Sequence, residues 1–462
     1  MEIRITEVIE GTKGELVRGN SEDIIYGVST DSRSIIKNEL FIPLVGEKFN
    51  GHDYIENAVS LGAIAVITSE WTEENFLKYP HLNIIKVKDT LKALQDLAKY
   101  YCLKFNIPII GVTGSTGKTS TKDMIYCVLA KKYKVLKNKG NFNNHIGLPL
   151  TALHLKKAHE LAIFEMGMSS FGEIDLLAGL VKPEIAVITN VGLSHIEHLG
   201  SQENIMKAKM EITNYFDKKS TLVINGDDPL LKTIKDKACN YNKCFIGFGN
   251  NCNYQAINIK DLGEEGIRFD VCIHDKIYPF ILNVPGEHNI YNALCAIAVG
   301  LHFHVAMKLI QEGIEEFKNS KMRLNVMTTN EKIKVINDAY NASPDSMRAA
   351  LSVLRKMEKH RKIAILGDML EMGEYAKQGH YDVGCEAGKA VDVLIAVGKD
   401  ARYIANGAKE TGMDERQVFS CKNNQETIYI LEKILKEEDA VLVKGSRGMR
   451  MEEIVEYIQE RS

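Results

Sequence analysis

No run in this chain approaches the roughly 18 apolar residues that a bilayer-spanning helix needs, and no apolar segment follows Met1. A membrane span and an export signal are therefore not expected. No Cys-x-x-Cys pair occurs, and the nine cysteines are scattered. That excludes a zinc ribbon on spacing and predicts free thiols in a reducing, cytoplasmic setting. An excess of positive charge is missing too. The 58 Lys and Arg against 61 Asp and Glu leave a net charge of -3, without a basic stripe, so no nucleic-acid partner is expected. The short Lys131-Lys132-Tyr133-Lys134 run reads as the solvated end of a helix. There is no low-complexity segment and no short repeat.

What remains is an ordinary globular composition, 45% hydrophobic and 26% charged, in a chain long enough for about three domains at roughly 150 residues each. Apolar strand-like runs alternate with amphipathic ones, which predicts α/β layers. Three blocks are expected: 1–84, 85–319 and 320–462. In the first, Asp53 to Leu61 reads as a helix and Ala63 to Thr68 as a buried strand. In the second, a helix from Thr90 to Phe105 leads into a strand Ile107 to Val112. Further strands are predicted at Leu161 to Phe164, Ile185 to Thr189 and Thr221 to Ile224, forming a parallel, doubly wound sheet. In the third, Lys332 to Ile336, Lys362 to Leu366, Val393 to Val397 and Ala440 to Val443 predict another parallel sheet.

The strand ending at Val112 runs into Thr113-Gly114-Ser115-Thr116-Gly117-Lys118-Thr119-Ser120, and an amphipathic helix follows to about Ala130. Glycines let the backbone curl so that its N–H groups face phosphates, and the helix N-terminus adds a favourable dipole. Lys118 would reach the β- and γ-phosphates, and the Thr119 hydroxyl would meet Mg²⁺. The usual first glycine is absent, since Val112 occupies its place. The loop indicates a nucleotide but not a reaction.

Three later features fall at or just beyond strand ends, where open α/β sheets place their ligands. Glu165 offers a hard oxygen suited to Mg²⁺. His195 follows the strand Ile185 to Thr189. Lys209 sits on a predicted helix soon after. Each has a plain alternative: a capping acid for Glu165, a hydrogen-bonded loop histidine for His195, a surface lysine for Lys209. Their order behind the phosphate loop raises them together.

In that order, these residues resemble the Mur ligase family, the ATP-dependent amide-forming enzymes of peptidoglycan precursor synthesis. The resemblance covers essentially the whole chain. The segment Gly-x-x-Gly-Lys-Thr is similar to the family's short loop, and Asn141 to Thr151, with Asn143 and Asn144, to the segment after its second central strand. The resemblance implies ATP and Mg²⁺ as cofactors, with Thr119, Glu165, His195 and Lys209 around the metal and Lys209 carried as a carbamate. It implies that Gly114, Ser115, Thr116, Gly117, Lys118, Thr119 and Ser120 hold phosphates and that Asn289 and Asn292 lie near the adenine. Arg323 would cross the cleft to the phosphates, and Asp338 would bind the ribose; taken alone, they read as a surface arginine and a turn residue. Catalysis would rest on Lys118, His195, Lys209 and Arg323.

The stretches Ser29-Thr30-Asp31-Ser32-Arg33 and Asn50-Gly51-His52 resemble the part that holds a UDP-sugar; turn chemistry alone also fits them. Gly367 to Gly373 looks like the third-domain loop of the branch that adds D-alanyl-D-alanine to a UDP-N-acetylmuramoyl-tripeptide. The Asp-Asn-Pro-Arg motif of many diaminopimelate-adding members appears nowhere. The implied architecture is a small α/β UDP-sugar-binding domain, a central P-loop ATPase domain and a C-terminal Rossmann-like domain, in a monomer. Three rival readings stand beside this one. They are folylpolyglutamate synthetase, which residues 1–84 argue against, a P-loop switch or motor NTPase, and a catalytically silent UDP-sugar-binding protein.

Overall fold

The computed structural model describes residues 1–70, 72–357 and 360–461. Its strands gather, among the described residues, into sheets of five, nine and six, with a two-stranded ribbon pairing Ile3–Arg4 with Ile24–Ile25.

The five-stranded sheet runs Glu15–Arg18, Asn83–Lys86, Ala63–Thr68, Glu39–Phe41, Gly27–Ser29, antiparallel at the first pair and parallel thereafter. The predicted strand Ala63–Thr68 is present with those bounds. The predicted helix before it divides into a 3-10 turn, Gly51–Tyr54, and a short α-helix, Ile55–Ser60. The sheet ends with Lys86, two residues past the expected boundary at 84.

The helix Thr90–Leu103 follows, started by Asp89, whose carboxylate accepts the Lys92 N–H at 2.9 Å. This helix belongs to both neighbours. Its Leu94, Leu97, Ala98 and Tyr101 join one continuous apolar core that includes Ile3, Val8 and Ile67 of the first block and Leu148, Phe164 and Ile188 of the second. Lys104, just beyond it, pairs with Glu7.

The nine-stranded sheet runs Val135–Lys137, Leu161–Glu165, Ile109–Thr113, Ile185–Ile188, Thr221–Asn225, Asn242–Gly247, Tyr254–Asp261, Ile267–Ile273, Lys276–Leu282. The first seven strands are parallel. The last two turn back antiparallel, correcting the purely parallel expectation. Sequence explains the difference. The central strands are continuous Val/Ile runs buried on both faces, whereas Ile267–Ile273 alternates buried with less buried positions, as one-sided antiparallel strands do.

The six-stranded sheet runs Asn325–Thr328, Lys334–Asn337, Ala440–Lys444, Lys362–Gly367, Val393–Val397, Val418–Cys421, with only the first pair antiparallel. Its helix Pro344–Arg355 starts on a Ser343 capping box with proline at the first turn. All nine cysteines are free thiols; Cys102, Cys295 and Cys421 are buried. No described helix is long and apolar enough to cross a membrane.

Candidate active site

The strand Ile109–Thr113 delivers the chain to Gly114, which sits at φ +150°. A Cβ there would stand 1.8 Å from Thr189 Oγ1, so only glycine fits against the neighbouring strand end. Gly117, at φ +77°, opens the helix Lys118–Leu129. The loop is tied to the segment after Ile185–Ile188. Thr116 N–H donates to Asn190 Oδ1 (2.9 Å), Thr189 Oγ1 donates to Thr116 O (2.6 Å), and Gly192 N–H donates to Ser115 Oγ (2.9 Å). Lys118 folds over the loop it starts from, donating to Gly114 O at 2.7 Å and Ser115 O at 3.3 Å. Burial lowers its pKa, assisted by the Arg323 charge and opposed by Glu165.

Beside the loop lies a cleft of about 320 Å³, within the size range of small-ligand sites. Two domains wall it. Ser115 to Ser120, His288, Asn289 and Asn292 come from the central sheet's side, and Arg323, Asp338, Ser343, Asp345 and Lys444 from the other. Arg323 lies 4.1 Å over the Tyr340 ring, which holds the guanidinium plane by cation–π attraction. Asp338 is fastened at both oxygens, by the buried Lys444 ammonium (2.5 Å) and the Leu324 N–H (3.0 Å). Asn292 accepts the Thr121 hydroxyl at 2.8 Å and donates to Asn289 at 2.9 Å, while Asn289 donates to Pro285 O at 2.8 Å. The two asparagines thus link the helix His288–His302 to the phosphate-loop helix. His288 in the same wall has its pKa brought down to about 4 by loss of hydration, against an upward pull from Asp338.

At the other end of the loop, Glu165 is 2% exposed. Its Oε2 accepts the Thr119 hydroxyl at 2.9 Å, and its Oε1 accepts Asn143 Nδ2 at 2.8 Å. The capping-acid reading of Glu165 therefore falls away. Asn144 points elsewhere: its oxygen accepts the N–H groups of Ile146 and Gly147 and starts the helix Gly147–Ala152. His195 adopts φ +63°. Burial lowers its pKa, followed by the nearby Lys118 charge, with Lys209 adding in the same direction. Lys209 is 1% exposed, and burial together with Lys118 holds its pKa well below the usual lysine range. It is not a surface lysine. Among the described residues, no three His, Cys, Asp or Glu side chains converge into a ready-made metal cage.

The first sheet's residues form two small structures at the C-terminal ends of its parallel strands. Arg33 clasps Asp31 in a bidentate pair (2.9 and 2.8 Å), Ser29 Oγ donates to Asp31 O, and Ser32 Oγ accepts Asn57 Nδ2 at 3.2 Å. This pairing holds the Asp31 carboxyl at a pKa of about 2. Asn50 caps the 3-10 turn through the His52 N–H and donates to Glu70. His52 Nε2 accepts the Ser69 N–H at 3.2 Å. Gly51 is packed so tightly that a Cβ would come within 2.6 Å of the Leu44 backbone. None of these residues lines the cleft at the phosphate loop.

Five site residues escaped the sequence reading: Lys122, Asn138, Asn190, Glu371 and Lys444. Lys122 had a signal, because Thr119 and Lys122 are three apart on one helix and face the same way. Glu371 lies in the Gly367 to Gly373 stretch singled out above, but only the fold brings it to His195.

The fold and the site define a phosphate-loop nucleotide-binding protein whose cleft is closed by a second parallel-sheet domain. Residues 24–102 match the model of the Mur ligase family catalytic domain, 112–300 the Mur ligase middle domain, and 322–447 the Mur ligase glutamate ligase domain. The chain belongs to the Mur ligase family. It is 40% identical to the UDP-N-acetylmuramoyl-tripeptide--D-alanyl-D-alanine ligase of Bacillus subtilis (strain 168), over 99% of this chain and 98% of that one. Among solved structures it is similar to MurF from Acinetobacter baumannii (TM-score 0.90, 28% identity, covering 100% and 99% of the two chains). It is also similar to MurF ligase from Thermotoga maritima in complex with ADP (TM-score 0.82, 26% identity, 94% and 97%).

Proposed function

We propose that the chain joins D-alanyl-D-alanine to UDP-N-acetylmuramoyl-tripeptide at the expense of ATP. The products are UDP-N-acetylmuramoyl-pentapeptide, ADP and phosphate, in the cytoplasmic stage of peptidoglycan precursor synthesis. The observation that carries this reading is the single cleft in which Lys118 of one domain and Arg323 of another face the same space. Full-length similarity to ligases of that name supports it.

The chemical difficulty is that a carboxylate must attack a polyanion. The C-terminal carboxylate oxygen of the tripeptide attacks the γ-phosphorus, the bond to the β–γ bridging oxygen breaks, and ADP leaves. The amine of D-alanyl-D-alanine then attacks the acyl carbon, and phosphate departs from the tetrahedral intermediate. Lys118 and Arg323 neutralise the charge that gathers on the transferred phosphoryl group. Arg323 arrives already oriented by Tyr340, and Lys118 needs only to leave its own loop carbonyls. Asn289 and Asn292 take the adenine side, Asp338 the ribose, and residues 114–120 the phosphates.

Mg²⁺ fits beside Thr119 and Glu165, with His195 and Lys209 within electrostatic reach of the neighbouring Lys118. One carboxylate and a hydroxyl suit a cation that keeps waters and phosphate oxygens as its remaining ligands. When bound, it supplies Lewis-acid charge to the phosphoryl group. The depressed pKa of Lys209 leaves a neutral fraction able to take up CO₂, and we assign it as a carbamate, which turns a repelled ammonium into an oxygen donor. The division of labour is 1–84 for the UDP-sugar, 85–319 for ATP and 320–462 for closure. Ser29, Asp31, Ser32, Arg33, Asn50, Gly51 and His52 take the UDP-sugar; Asn143, held on Glu165, lies on the approach to the reacting end, which Asn144 supports through the backbone of the next helix.

Phosphate release from ATP and Mg²⁺, with the tripeptide nucleotide and D-alanyl-D-alanine supplied singly and together, tests this. Release that requires both, with the pentapeptide product seen by mass, is expected. Release with neither present would make the chain a plain NTPase, and silence with both would sink the substrate assignment.

A further inference from the structure

Lys122 lies one turn beyond Thr119 on the helix Lys118–Leu129 and is 2% exposed. Its Nζ stands 3.6 Å from Glu165 Oε2 and donates to Asn138 O at 3.1 Å. Asp123 Oδ1 is 3.7 Å away, but that carboxylate belongs more closely to Lys137, at 2.7 Å. Asn138 in turn fixes the Glu165 backbone, accepting its N–H at 2.9 Å and donating to its carbonyl at 3.2 Å. Both oxygens of Glu165 are therefore engaged, Oε2 by Thr119 and Lys122, Oε1 by Asn143. Lysines are almost never this buried without a partner; here the hydrogen bond goes to Asn138 O, and the nearest carboxylate is the one assigned to the metal.

We propose that Lys122 is the resident counter-cation of Glu165 and makes divalent-metal binding conditional on bound nucleotide. This rests on the assignment of Glu165 as a metal ligand made above. A free divalent cation approaching Oε2 meets one carboxylate, already paired, and the ammoniums of Lys122 and Lys118. His195 and the Lys209 carbamate assigned above are the further donors on that side, and among the described residues no three His, Cys, Asp or Glu side chains converge to outweigh the two ammoniums. Nucleotide phosphates reverse the balance by bringing several negative charges and giving Lys118 a partner other than its own loop. Metal is then admitted with the nucleotide, and a site without nucleotide stays closed to it. Lys122 is a positioning residue: it acts on the metal through Glu165.

The test uses Mn²⁺ as the probe, titrated into the full-length chain and followed by electron paramagnetic resonance, without nucleotide and with saturating ADP. In the wild type, Mn²⁺ binds the chain alone at least about tenfold more weakly than it binds the ADP complex. Lys122→Met raises affinity for the nucleotide-free chain by about tenfold or more, and Lys122→Arg, which keeps the charge, leaves it at the wild-type level. Unchanged or weaker binding by a folded Lys122→Met chain overturns the proposal. If that variant does not fold, the wild type decides: equal Mn²⁺ affinity with and without ADP overturns it as well. Glu165→Gln in the ADP complex separates the two levels. Loss of Mn²⁺ affinity there, with Lys122→Met behaving as wild type, defeats the counter-cation role alone. No loss there defeats the metal assignment and the role together.

Discussion

Glu371 Oε2 lies 2.6 Å from His195 Nδ1, and the two residues belong to different domains. Glu371 follows the strand Lys362–Gly367 and adopts φ +60°; its carbonyl also accepts the Glu197 N–H at 3.4 Å. A carboxylate on one ring nitrogen sets the direction of the other. The third domain thus sets a carboxylate against this imidazole, close enough to steer it. Glu371→Ala should lower kcat/KM by roughly ten- to a hundredfold, as loss of such outer partners does. Steady-state kinetics with both substrates would check this, and wild-type values would mean that His195 needs no orientation from across the cleft.

Lys118→Ala should reduce turnover by about a hundred- to a thousandfold, the usual effect of removing one preorganised contact to a developing charge. Its circular dichroism should match that of the wild type, because the side chain packs on its own loop. Near-normal phosphate release from such a variant would remove Lys118 from the mechanism.

Gly114→Ala places a Cβ 1.8 Å from Thr189 Oγ1. Overpacking of that kind costs about 1–3 kcal/mol, and a strained φ adds to it. Thermal unfolding should show a lowered Tm and ADP should no longer raise it. Adding Thr189→Ala should recover part of the stability, since it removes the nearest atom. A double variant no more stable than Gly114→Ala would locate the strain elsewhere.

His288 bears on pH. Its folded pKa of about 4 lies below the ordinary histidine value of 6.5, so between those values the unfolded chain binds the proton and the folded chain does not. Stability is therefore full above about pH 6.5 and is lost as pH falls towards 4, by roughly 1–3 kcal/mol from this group. Denaturant titrations of the wild type and His288→Gln across that window should show a shallower fall for the variant. Parallel curves would be the contrary result.

Lys356–Asp261 (2.5 Å) and Lys334–Glu264 (3.0 Å) join the third domain to the antiparallel end of the central sheet. Exposed pairs are worth little, about 0–1 kcal/mol each, and weaken with salt. Lys334→Ala with Lys356→Ala should leave the Tm nearly unchanged yet widen the molecule at low ionic strength, read as a larger radius of gyration in solution scattering. An unaltered radius would show that these two pairs are not what holds the domains together.

The parts legible in the sequence were those whose chemistry is local. Ala63–Thr68 and Val393–Val397 were readable residue for residue because a β-branched run buried on both faces has no other use. The phosphate loop was legible because glycine, lysine and threonine at that spacing follow a strand and open a helix. Tyr254–Asp261 was not, since Gln255, Asn258 and Lys260 break the apolar run on its exposed side. Lys122 looked like any helix lysine until Glu165 was seen beneath it, and Glu371 lies 176 positions from His195, a pairing that only tertiary structure creates.

The helix Thr90–Leu103 shares one core with the sheets on either side of it. The first two blocks are in consequence packed as one arm, and changing the separation between the Ser29–Arg33 turn and the phosphate loop would mean breaking buried apolar contacts. On the assignment proposed above, a substrate anchored at that turn would be gauged against the span: a peptide one residue too short would leave its carboxylate behind the phosphate, and one too long would overshoot it. Chain length, on this view, is measured by a ruler made of buried leucine and isoleucine.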